Sequence, residues 1–111
     1  MPAEEVSAML VAPVPSLREL RLEQSGVGEA GGVALAEAIG KGATPQLQQL
    51  VLDDNTLGER GATALAAAIT KEALPSLGSL DVERTGLGAA GRRLLDEAAK
   101  ARGDGLRVVH G

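Results

Sequence analysis

Apolar residues recur along this chain with two different periods. Leu20 and Leu22 alternate with polar residues, which is the two-residue period of a strand with one buried face. From Gly31 onward, apolar residues fall at i, i+1, i+4 and i+5, which places them on one stripe of a helix. The pattern therefore predicts a short strand, a glycine-containing turn and a helix of about three turns.

This strand-turn-helix unit occurs three times at a spacing of 30 residues, opened by Pro15, Pro45 and Pro75. The helical stripes occupy equivalent positions in the three units: Ala34, Leu35, Ala38 and Ile39; Ala64, Leu65, Ala68 and Ile69; Leu94, Leu95, Ala98 and Ala99. Neither a lone strand nor a lone helix can bury its apolar face, so the units are predicted to stack on one another.

The period divides the chain into full and partial units that together are expected to form one domain. Val6, Met9 and Leu10 have helical spacing, and they predict a partial helix that caps the first unit. The units are residues 1–14 (partial helix), 15–44, 45–74 and 75–104 (full repeats) and 105–111 (terminal strand).

The terminal strand is predicted from Leu106, Val108 and Val109. An apolar edge strand is prone to pair with another chain. We therefore expect this strand to continue a stack, to pair with a second copy of the chain, or to dock into a larger assembly.

The second unit reads Leu-x-x-Leu-x-Leu-x-x-Asn-x-Leu, followed by Gly-x-x-x-Leu. Its residues are Leu47, Leu50, Leu52, Asn55, Leu57, Gly61 and Leu65. This pattern resembles the ribonuclease-inhibitor-like subclass of leucine-rich repeats. The resemblance implies an α/β fold, a right-handed leucine-rich-repeat solenoid with a short parallel sheet on its concave side and helices on its convex side. It would contain about three full repeats plus partial end repeats.

The asparagine of this pattern has a physical role that the residues at the same position in the other two units can fill less well. We expect the side-chain amide of Asn55 to bond backbone groups in its own turn and in the neighbouring repeat. Ser25 and Thr85 stand at the equivalent positions and have fewer donors and acceptors. Their turns are therefore expected to be less tightly held.

Composition and charge exclude several classes of function. The chain has no Cys, Phe, Trp or Tyr, which excludes disulfides, thiolate metal sites, thiol nucleophiles and aromatic stacking platforms. The net charge of −4 disfavours nucleic acid and acidic membrane surfaces as partners. No apolar run approaches the roughly 18 residues of a membrane span, and the acidic start does not resemble a secretory signal. A cytoplasmic protein is the default expectation, with nuclear or organellar locations left open.

Two short motifs have a functional and a structural interpretation. Gly26–Gly31 and Gly86–Gly91 both read Gly-x-Gly-x-x-Gly, the form of a dinucleotide fingerprint, but they recur at the repeat period and follow charged strands. We interpret them as repeat scaffolding. Arg102-Gly103-Asp104 spells an adhesion tripeptide, and we interpret it as a helix end with a capping glycine.

Catalysis is not expected. The single histidine, His110, is the penultimate residue, and we expect it to be frayed. No nucleophile-histidine-acid arrangement can be assembled around it, and an open sheet rarely supplies the desolvated cleft that acid–base chemistry needs. We predict no enzyme activity, no cofactor and no metal.

The side chains that alternate with the strand leucines, polar except for Val51, are expected to face outward and to bind a partner. The candidates are Arg18, Glu19, Arg21, Glu23, Gln48, Gln49, Val51, Asp53, Ser79, Asp81, Glu83 and Arg84. Parallel strands lie about 4.8 Å apart, so Glu23, Asp53 and Glu83 would stack as an acidic ladder. A basic partner or a cation would relieve their repulsion. The alternative is a solvated face on which the charges are tolerated.

The leading functional hypothesis is a non-enzymatic protein-protein interaction module that binds a partner, possibly basic, through the concave strand face. The alternative is a structural subunit that docks into an assembly through its end strand or its helices. The family resemblance also implies a third class, because some ribonuclease-inhibitor-like repeat proteins act as GTPase activators. No residue of this sequence argues for that role.

Overall fold

The structure is a computed structural model of the 111-residue chain and describes residues 14–70 and 72–110. The predicted partial helix at residues 1–14 lies outside the described residues, except for Val14. The described elements are β1 (Glu19–Arg21), α1 (Glu29–Gly40), β2 (Gln49–Val51), α2 (Gly58–Ala68), β3 (Ser79–Asp81), α3 (Gly88–Arg102) and β4 (Arg107–Val109).

The four strands form one parallel sheet in the order β1-β2-β3-β4. Leu20 pairs with Leu50, and Leu50 pairs with Leu80, so residues 30 apart in the sequence lie side by side. Leu80 pairs in turn with Val108, which confirms the predicted fourth strand. The predicted α/β class and the parallel sheet are thereby confirmed.

One core lies between the sheet and the helices. The helices pack in chain order, α1 against α2 and α2 against α3. Leu35, Leu65 and Leu95 occupy the same helical position in the three units, and each is 0% exposed. The inward strand residues Leu50 and Leu80 are also 0% exposed. Because these side chains come from both periods of the sequence, the core joins every strand to its neighbouring helices.

The C-terminal end of α3 follows from local residue chemistry. The last helix, α3, is followed by the capping residue Gly103, which has a left-handed φ of 73° and donates its N–H to the Lys100 carbonyl at 3.1 Å. Glycine favours this conformation because it has no Cβ. No helix of residues 14–70 or 72–110 combines the length and the apolar character that crossing a membrane requires.

Candidate protein-binding face

The outward side chains of the strands form a surface that we call the strand face. The register pairs Glu19 with Gln49 and Gln49 with Ser79, and it pairs Arg21 with Val51 and Val51 with Asp81. These rows match the ones predicted from the sequence. The strand face consists of Arg18, Glu19, Arg21, Glu23, Gln48, Gln49, Val51, Asp53, Ser79, Asp81 and Glu83, with Arg84 at its margin.

The acidic row is built by backbone pairing that continues beyond the regular strands. The Gln24 N–H donates to the Asp53 carbonyl at 3.0 Å, and the Asp54 N–H donates to the Glu83 carbonyl at 2.9 Å. These bonds hold Glu23, Asp53 and Glu83 in neighbouring positions. The structure therefore places the three residues of the predicted ladder side by side.

Asp53 is the most constrained carboxylate of this row. Its Oδ1 accepts a hydrogen bond from the Glu83 N–H at 2.8 Å. Burial raises the pKa of Asp53, and the charges of Asp81 and Glu83 raise it further against the opposing effects of that hydrogen bond and of Arg84. Mutual repulsion among the carboxylates thus adds to the cost of desolvating Asp53.

Arg21 lies between two acidic residues of its own strand. Its Nε is 2.7 Å from Glu19 Oε1, and its NH1 is 3.4 Å from Glu23 Oε2. The hydrogen bond with Glu19 and the charges of both glutamates raise the pKa of Arg21. Its positive charge is therefore balanced locally. Arg18 is a second exposed cation at that end of the face.

Val51 departs from the expectation for a contact residue. It lies in register between Arg21 and Asp81 and is only 3% exposed. A residue with so little accessible surface adds almost no contact area to an interface. The expectation that Val51 is available to a partner is corrected here, since its outward position in the strand does not make it accessible.

The other candidate residues differ in accessibility. Exposed residues are Arg18, Glu19, Arg21, Glu23, Gln48 and Arg84, whereas partly buried residues are Gln49, Asp53, Ser79, Asp81 and Glu83. Ser79 Oγ donates to Asp81 Oδ1 at 2.8 Å, and this bond orients the Asp81 carboxylate at the end of β3. A partner would therefore meet the charged groups at the two margins before the polar centre.

Arg84 forms a two-pronged contact with the preceding turn. Its Nε and NH2 are 2.5 and 3.0 Å from the two carboxylate oxygens of Asp54, and its NH1 is 3.1 Å from Glu83 Oε2. The guanidinium lowers the pKa of Asp54. Gln24, Asp54 and Arg84 occupy the same position in successive turns, with left-handed φ values of 52°, 61° and 56°.

Packing explains the glycines at the equivalent helix positions Gly61 and Gly91. A Cβ built on Gly91 would lie 3.0 Å from Leu87 Cβ and 3.1 Å from Ala62 Cβ. Gly61, its equivalent in the second unit, would place a Cβ 2.9 Å from Leu57 Cβ. Gly91, the last glycine of the Gly86–Gly91 motif, therefore lies where Leu87 and Ala62 leave little room for a side chain. This supports the structural interpretation of the motif.

The adhesion-like tripeptide contains an arginine whose burial the sequence did not predict. The Arg102 side chain is 1% exposed and lies 2.8 Å from Asp104 Oδ2. It also donates to the carbonyls of Ile69 at 2.8 Å and Leu74 at 2.9 Å. Arg102 thus ties the end of α3 to the segment before β3, and its guanidinium is not accessible for adhesion. A charged residue at the last turn of a helix was the available sequence signal.

His110 is held more firmly than its terminal position suggested. Its Nε2 lies 3.0 Å from Asp96 Oδ1 on α3, and its side chain is 23% exposed. The expectation of a frayed histidine is therefore wrong. In the described part of the chain, no group of three or more His, Cys, Asp or Glu residues is arranged to hold a metal ion.

A scan against models of protein families found no match for the chain, and a search of the curated proteins also found none.

Proposed function

We propose that the chain is a non-enzymatic protein-binding module, a leucine-rich-repeat solenoid whose strand face contacts a basic surface of another protein. The repeat half of this proposal is supported by the 30-residue register of β1, β2 and β3 and by the bonds that Asn55 makes to the preceding turn. A stack of such units exposes one continuous row of strand side chains.

The proposal that the strand face binds a basic partner is supported by an acidic cluster on that face whose charge is incompletely neutralised. Asp53, Asp81 and Glu83 occupy adjacent positions. Burial raises the pKa of Asp53, and the charges of Asp81 and Glu83 raise it further. Among the described residues, the cation within 4.0 Å of these carboxylates is Arg84, which contacts Glu83. Lysine or arginine side chains of a partner would supply the missing positive charge.

The composition of the face sets the character of the interaction. Large aromatic anchors dominate many tight interfaces, and this chain has none. Binding would depend on charge complementarity and shape, so we expect a modest affinity that falls as ionic strength rises.

The test compares two variants that carry the same total change in charge. One combines Glu23→Lys, Asp53→Asn and Glu83→Lys on the strand face, and asparagine retains the acceptor for the Glu83 N–H. The control combines Glu37→Lys, Glu59→Gln and Glu97→Lys at exposed helix positions. Each immobilised protein captures partners from cell extract, and the captured proteins are quantified by mass spectrometry at low and high salt.

We expect the wild-type chain and the helix control to retain the same set of basic proteins. The strand-face variant should retain those proteins about fivefold less well, because attraction is replaced by repulsion. Equal capture by the two variants would show that the strand face is not the contact surface.

A further inference from the structure

The two outer strands of the sheet each have one backbone edge without a strand partner among residues 14–70 and 72–110. On β4, the Arg107 N–H donates to Gly78 O at 3.2 Å, and Val109 O accepts from the Val82 N–H at 2.8 Å. Alternate residues of a parallel strand turn their backbone groups to opposite sides. The N–H and C=O of Val108 therefore face away from β3.

On β1, backbone N–H and C=O groups also alternate between the side that faces β2 and the outer edge. Arg18 O accepts from the Gln49 N–H at 3.1 Å, and the Leu22 N–H donates to Val51 O at 2.8 Å. By the same rule, Glu19 and Arg21 present their backbone groups on the edge away from β2. Since β1 and β4 run parallel at opposite edges of one sheet, β4 of one copy can accept β1 of another in the parallel direction.

The surface beside β4 has room for side chains of a further unit. A groove of about 370 Å³ is lined by Ala99, Leu106 and Val108, with Asp96 and Lys100 among its polar residues. Leu106 is buried to 8% exposure, and Val108 is partly buried against the core. An added strand with an inward leucine would cover this apolar lining.

Charge and hydrophobicity specify which strand fits. Extending the register of the sheet by one strand places Leu20 of a second copy beside Val108 and Glu19 of that copy beside Arg107. Both charged residues are exposed. The apolar pair meets on the inner side of the sheet and the opposite charges meet on the strand face, and both kinds of cross-strand pair are stabilising.

We infer that this chain self-associates head to tail, with β4 of one copy adding to β1 of the next and Arg107 of one copy beside Glu19 of the next. This interface uses the outer edges of β1 and β4, and it shares Glu19 with the strand face to which the proposed partner would bind. A head-to-tail contact joins two different surfaces and therefore generates a series of oligomers rather than a closed dimer. Three-residue edge strands with charged side chains limit the affinity, so association grows with concentration.

Glu19 is already engaged within its own strand, which bears on the strength of this contact. It forms an ion pair with Arg21 at 2.7 Å, but both side chains are at least half exposed. Exposed ion pairs contribute little to stability, so Glu19 can exchange Arg21 for Arg107 of a neighbouring copy at small cost.

The experiment measures the mass of the 111-residue chain by sedimentation equilibrium over concentrations from about 10 µM to about 1 mM. Detection uses refractive index, because the chain has no aromatic residue. The variants are Arg107→Glu, Glu19→Arg and their combination, with Arg93→Glu on the exposed face of α3 as the matched control. Far-UV circular dichroism establishes that each variant is folded.

We expect the wild-type mass to rise steadily with concentration and the Arg93→Glu control to match it. Each single reversal at the interface should weaken association about three- to tenfold, and the combined variant should regain it because the charges are exchanged. A mass that stays monomeric or stops at twice the chain mass overturns the proposal. So does a combined variant that associates no better than the single ones.

Discussion

Asn55 Oδ1 accepts a hydrogen bond from the backbone N–H of Val27 at 2.9 Å, across 28 residues of sequence. The Nδ2 group of the same side chain donates to the carbonyls of Leu22 at 2.7 Å and Leu52 at 2.9 Å. One buried amide thus satisfies backbone groups in its own turn and in the preceding one, which confirms the role predicted for it. Thr85 fills the equivalent position, and its hydroxyl donates to Val82 O within its own turn.

Replacement of Asn55 by alanine is expected to lower the free energy of unfolding by about 3 kcal/mol, because buried backbone donors and acceptors lose their partners. Urea denaturation followed by circular dichroism measures this loss. Ser25→Ala is the matched control at the same position of the first unit, where the hydroxyl donates to Glu23 O at the surface, and it should cost less than about 1 kcal/mol. Similar losses for the two variants would contradict the bridging role of Asn55.

Replacement of Arg102 by methionine is expected to destabilise the chain by about 3–5 kcal/mol, since Asp104 and several backbone carbonyls lose a buried donor. Arg102→Lys should have an intermediate effect, because lysine keeps the charge without the guanidinium fork. Arg93→Met, at an exposed position of the same helix, should change stability by less than about 0.5 kcal/mol. Chemical denaturation measures the free energy of unfolding of the three variants. If Arg102→Met leaves that free energy unchanged, these contacts are not stabilising.

The hydroxyl of Thr44 is buried without a hydrogen-bond partner in the described part of the chain. Thr44→Val replaces it by a methyl group of similar size, so we expect a gain of about 1 kcal/mol in stability. Thr85→Val makes the same chemical change where the hydroxyl does donate, at 2.6 Å to Val82 O, and should be destabilising by about 1 kcal/mol. Thermal melts of the two variants should therefore shift in opposite directions.

Gly91→Ala tests the structural interpretation of the Gly86–Gly91 motif. The added Cβ would press on Leu87 and Ala62, so we expect a loss of about 1–3 kcal/mol in stability. Gly28→Ala is the control, because that residue has extended backbone and nothing within 4 Å of an added Cβ. It should be nearly neutral, and a Gly91→Ala protein as stable as the control would refute a packing role.

The raised pKa of Asp53 predicts a pH-dependent stability. Above the ordinary Asp pKa of 3.8, the folded state binds the proton of Asp53 more tightly than the unfolded state does, so the ionised carboxylate disfavours folding. Asp53→Asn should therefore be more stable than wild type near neutral pH, with its acceptor to the Glu83 N–H retained. The difference should shrink to zero as the pH falls below 3.8, as measured by urea denaturation across that range. If the stability difference between Asp53→Asn and wild type instead grows as the pH falls, the raised pKa of Asp53 is not its cause.

The repeat pattern predicted much of the candidate site as well as the sheet. The rows that join Glu19 to Gln49 and Arg21 to Val51 follow from a constant spacing, since residues in register must share a position in their units. The accessibility of Val51 could not be predicted in this way. Alternation assigns a side chain to one face of a strand, but its exposure depends on the sizes and directions of the side chains around it.

By itself, the sequence determined the strands and helices, the parallel neighbours of each strand and the bridging role of Asn55, because each of these depends on a local period repeated at a fixed interval. Only the tertiary structure decided that Val51 is buried, that Arg102 is held among backbone carbonyls and that His110 lies against Asp96. These relationships join groups that no common period connects. They depend on where long side chains find space and partners once the units have packed.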